Sequence, residues 1–157
     1  NLGAALAGTA RRSFFSRKQR REQALDVSAE SVRMNRRSAA EAARPHVGLA
    51  LALLNLAERL GESHQYNAGF GIAVAALAEF RQLAVAAPQS HTTNLIQSLR
   101  MVAILGKRAS LPAERWDWAS AEADTVARSA KTAVSLRKNN RSGRDAQVSF
   151  VWSGKDL

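Results

Sequence analysis

The chain has 157 residues, 46% of them hydrophobic and only three of them proline, and a net charge of +10. That length and composition fit one domain with a real core, and the alanine-rich, proline-poor mixture favours helix. The absence of cysteine excludes disulfides, thiolate nucleophiles and zinc–cysteine sites.

The charge is uneven. Residues 1–44 hold ten Lys or Arg against four Asp or Glu, residues 45–113 five against three, and residues 114–157 eight against six. A basic N-terminal end favours phosphate-rich, acidic or anionic-lipid partners.

The chain opens NLGAALAGTA, then RRSFFSRKQRR, with no acidic residue before Glu22. Residues 1–16 read as a basic arm running into the first helix. The acid-free, Arg- and Ser-bearing composition is that of a mitochondrial transit peptide, and Asn1 in place of methionine reads as a processed start. Arg11, Arg12, Arg17, Lys18, Arg20 and Arg21 would neutralise phosphates and release counterions. Phe14 and Phe15 would stack on unpaired bases, wedge into a groove or seat in an apolar pocket.

Helix one is expected over 17–43, stopped by Pro45. Its stripe of Leu25, Ala29, Val32, Ala39 and Ala43 is sparse, so it should lie on the surface or on a partner with its arginines outward. Helix two is expected over 46–60. Leucines and valines ring it, which predicts a buried rod, and Gly61 is expected to close it in the left-handed conformation. Helix three is expected over 67–86, with Phe70, Ala73, Val74, Leu77, Phe80 and Ala84 on one face. Neither of the longer apolar runs, 47–57 and 68–87, reads as a membrane span: the first is short and the second is broken by Glu79, Arg81 and Gln82.

Helix four is expected over 93–105, with Gly106 as its cap. Helix five is expected to start near Ser110 and Pro112, and its seam reads Trp116, Ala119, Ala123, Val126, Ala130, Ala133, Arg137. The 3-4 spacing is that of a left-handed helix pair, read as packing within the chain. After Arg137 the stretch KNNRSGRD reads as a basic linker. QVSFVW then alternates, so Val148, Phe150 and Trp152 are expected on one side of a short extended tail that docks on a partner or on the domain. The sequence shows no internal repeat.

The expected organisation is an all-α bundle of four to five helices: a basic arm over 1–16, a bundle over 17–137, and a basic linker with an aromatic tail over 138–157. Catalytic patterns are missing. His46, His64 and His91 have no ligand spacing and read as surface or capping residues. Glu58 and Glu62 sit four residues apart beside Arg59, a solvated arrangement. The Gly-Lys at 106–107 and the Gly-Phe-Gly at 69–71 lack the rest of a phosphate loop.

The reading that follows is a non-catalytic helical subunit of a large assembly, with no cofactor, anchored through its basic arm and aromatic tail. Other protein subunits are its partners, with RNA, DNA or an anionic membrane surface as further ones. An intracellular setting is expected, leaning to the mitochondrion, as in a ribosome or respiratory complex. Arg137, Lys138, Arg141 and Arg144 form a second basic cluster that would join the first if the fold brought them together. The alternative is a free-standing basic DNA- or RNA-binding protein of packaging or plasmid type. A small basic nuclease or toxin would need a His/Glu/Arg site that the residues do not assemble.

Overall fold

Proline marks three helix boundaries: Pro45 precedes one helix, Pro88 opens another, and Pro112 precedes a short 3-10 turn. A computed structural model describes the backbone over residues 2–42 and 45–152 and the side chains over residues 18–42 and 45–136. Within these residues lie five α-helices: α1 (Leu2–Ala42), α2 (Val47–Glu62), α3 (Tyr66–Ala86), α4 (Pro88–Arg108) and α5 (Asp117–Trp152), with the 3-10 turn at Ala113–Arg115. There is no strand among them.

The helices pack in chain order. α1 lies on α2, α2 on α3, α3 on α4 and α4 on α5, with a minor contact between α2 and α4. Short connections make successive helices antiparallel. The result is an open helical bundle with α1 at one edge and α5 at the other.

The core follows the expected stripes. Phe80, Leu77, Leu99, Leu105 and Val102 are the largest fully buried apolar side chains, all on α3 and α4. Phe70, Ala73 and Leu77 join Leu99, Val102, Leu105, Ala119 and Ala123 in one cluster. Val32 joins Leu49, Leu53, Leu56 and Ala76 in a second, which ties α1 to the hairpin of α2 and α3. The α5 seam is therefore used within the chain: Ala119 and Ala123 are buried, Val126 and Ala130 half-buried, and Ala133 exposed. α3 is long and apolar enough to cross a membrane by composition. Its apolar face is instead buried against α2 and α4 through Phe70, Leu77, Phe80 and Leu83.

Several expectations are corrected. α2 is apolar all round but not buried all round: Val47 and Leu51 are exposed on its outer side. The reason is that α1 and α3 together cover only part of its circumference. Gly61 and Gly106 do not cap helices; both lie inside them with no positive φ. The left-handed residues are His64 (φ 62°) and Ser110 (φ 54°). The two glycines serve close approach. A Cβ at Gly61 would lie 2.9 Å from Leu105 Cδ2, and one at Gly106 would run into Trp116.

Helix four starts earlier than expected because proline is well suited to the first helical position. Helix five starts later, because residues 109–116 first fold Trp116 back over Gly106. There Trp116 Nε1 donates to the Leu111 carbonyl at 3.0 Å, and the Leu111 N–H donates to the Gly106 carbonyl at 3.1 Å.

The ends differ most. Residues 2–16, expected as an arm, continue α1, and residues 138–152, expected as a linker and extended tail, continue α5. Neither stretch contains a proline. A lone strand at 147–152 would leave its N–H and C=O groups without a sheet partner, whereas a helix pairs them internally.

Ser98 is a buried polar side chain in this core, and its Oγ donates to the Leu95 carbonyl at 2.9 Å.

A surface strap joins α3 to α5. Arg81 bonds Glu122 at 2.6 Å and lies over the Trp118 ring, 5.2 Å from its centroid. Both ends of the ion pair are well exposed. Arg81→Ala is therefore expected to cost under about 1 kcal/mol, read as a small change in urea midpoint.

Candidate partner-binding surface

The two basic clusters of the sequence belong to different helices, α1 and α5. Arg20 and Arg21 line a 210 Å³ cleft with Ala24, Arg59, Glu62 and Ser63, where α1 passes the end of α2. Arg59 is held there by Glu62 at 2.7 Å and Glu58 at 3.6 Å. Lys18 reaches Glu22 at 3.9 Å, one turn along. The side chains of Arg11, Arg12, Phe14, Phe15 and Arg17 lie outside the described residues.

The second cluster, Arg137, Lys138, Arg141 and Arg144, also lies outside the described side chains, as do Val148, Phe150 and Trp152. Its backbone belongs to α5, which leaves the end of the bundle shared with the α2–α3 turn and runs away from it. α1 and α5 sit at opposite edges, with no contact between them among the described residues.

Sequence reading missed a second, wider opening. Leu25, Asp26 and Ala29 of α1 face Asn67, Ala68, Gly71 and Ile72 of α3 across Leu56 and Leu60 of α2, with Gln65 at the turn. The cleft measures about 540 Å³. It is wide because its α3 wall carries small residues: a Cβ at Gly71 would meet nothing within 4 Å. The visible signal was Ala68 and Gly71 on the rim of an otherwise apolar helix, but the wall opposite is known only once α1 is placed.

The α2–α3 turn adds aromatic and cationic groups. His64 Nδ1 and the Tyr66 hydroxyl are 2.6 Å apart, and Arg108 lies over the Tyr66 ring. His46 caps α2, its Nδ1 accepting from the Leu49 N–H at 3.2 Å. Glu58 and Glu62 are exposed and engaged with Arg59. No group of three or more His, Cys, Asp or Glu suited to a metal occurs among the described residues.

These features define an open all-α helical bundle with an apolar cleft beside a basic helix end. Comparison with protein-family models, with curated proteins and with solved structures found no match.

Proposed function

We propose that this chain is a non-catalytic helical subunit that joins a larger assembly through its two end helices. One observation carries the reading: both end helices outrun the helices they pack on. α1 has 41 residues against 16 in α2, and α5 has 36 against 21 in α4. At about 1.5 Å per residue, α1 extends tens of ångströms past its neighbour. An isolated helical stretch is marginal in water, so a length of this kind is best supported by a partner. The overhanging stretches carry Arg11, Arg12, Phe14, Phe15 and Arg17 at one end and Arg141, Arg144, Phe150 and Trp152 at the other. The acid-free start favours an intracellular, mitochondrial setting.

Affinity capture of the full chain from its source cells tests this. A defined complex well above the chain's own mass is expected. Reversing Arg11, Arg12 and Arg17 to glutamate should release the partner while helicity stays unchanged. A chain that is recovered alone, with and without the reversals, sinks the reading.

The density of cations in 11–21 favours nucleic acid as a second partner class. A gel shift with RNA and DNA separates the two. Six phosphate contacts would weaken binding about a thousandfold between low and physiological salt. No shift even at low salt leaves protein as the partner.

A further inference from the structure

One charged residue lines the cleft between α1 and α3, and it is acidic in a chain of net charge +10. Glu22, Asp26 and Glu30 are spaced by four residues, which puts them along one flank of α1. Asp26 lines the cleft, and it makes no ion pair among the described residues. Glu22 is held loosely by Lys18 at 3.9 Å, and Glu30 by Arg33 at 2.8 Å, both on well-exposed side chains. An apolar opening with an acidic rim suits an occupant that is apolar at its centre and cationic at its flanks. In this +10 chain one stretch has that pattern, RRSFFSRKQRR at 11–21.

That stretch is too close in sequence to enter its own cleft. It belongs to the same continuous helix, whose Leu25 and Ala29 form the wall. A second copy has no such restriction. We propose that two copies pair through antiparallel α1 helices, each placing its 11–21 segment in the cleft of the other. A two-fold axis between residues 21 and 22 sets Arg17 level with Asp26 and Arg21 level with Glu22. The same register sets Phe14 level with Ala29 on the cleft wall. The contact is self-complementary, as a two-fold interface must be. It covers the part of α1 that extends beyond α2, and it buries the half-exposed Leu25, Leu60 and Ile72. This goes beyond the assembly reading, because it concerns a second copy rather than a foreign partner, and either can fail alone.

Light scattering on the full chain after size exclusion tests the pairing. At low salt the mass should be twice the 17.0 kDa of one chain, and it should fall toward a single chain as salt rises. Gly71→Leu fills the cleft at a position with free space, so circular dichroism should show helicity retained while the dimer weakens about tenfold or more. Asp26→Arg should weaken it comparably. The chain has no cysteine. Arg17→Cys combined with Asp26→Cys should therefore yield an oxidised, covalent dimer, and Arg17→Cys combined with Leu136→Cys should not. A single-chain mass at low salt and millimolar concentration overturns the proposal. So does a dimer indifferent to both Gly71→Leu and Asp26→Arg.

Discussion

Phe80→Ala is expected to destabilise the protein by about 3–5 kcal/mol, the largest effect of any single truncation proposed here. Phe80 is fully buried on α3. It packs with Ala50 and Leu83, and Leu54 and Leu95 close over the cluster. Its ring therefore touches α2 and α4 as well as its own helix. Removing it opens a cavity where three helices meet, and Ala50, with no side chain beyond Cβ, has nothing to extend into the gap. Against a typical domain stability of about 5–15 kcal/mol this is a large share. Thermal unfolding should fall by on the order of 10 °C. Val85→Ala, at an exposed position on the same helix, should leave the midpoint nearly unchanged.

Gly106→Ala is expected to destabilise by about 1–3 kcal/mol, against the usual preference of helices for alanine. In an open helix position the same change would be worth about 1 kcal/mol in favour. Here the new Cβ would run into Trp116 Cβ and lie 2.5 Å from its Cγ. Trp116 has little room to retreat: its indole N–H is bonded to the Leu111 carbonyl, and α5 begins at the next residue. The clash therefore outweighs the gain in propensity. Gly71→Ala is the control, since its Cβ meets open space, and it should stabilise by roughly 0.5–1 kcal/mol. Chemical denaturation of the three proteins decides the matter. A stabilised Gly106→Ala would mean that the Trp116 contact is looser than the structure shows.

The helix interiors were legible because their apolar residues recur at helical spacing. Phe70, Ala73, Leu77 and Phe80 on α3, and Leu99 and Val102 on α4, are buried as that spacing predicts. The ends were less legible. Gly61 and Gly106 follow leucine runs in the way capping glycines do, yet their role is to admit Leu105 and Trp116. The residues that turn the chain are His64 and Ser110; histidine is enriched at positive φ, but neither marks a left-handed position as glycine does. QVSFVW alternates over only six residues, too few to outweigh the lack of a strand to pair with. The α1–α3 cleft was invisible for another reason. Its two walls are separated by about forty residues of sequence, and nothing in either one states that α2 will hold them side by side.

Packing each helix on the next in sequence has a kinetic corollary. Almost every tertiary contact closes a short loop, so the contact order is low and folding should fall in the microsecond-to-millisecond range of helical domains. Such an array also opens from its margins. Amide exchange should be slowest at the centres of α3 and α4, which have neighbours on both sides. It should be faster along α1 and α5, each of which detaches by breaking one main interface.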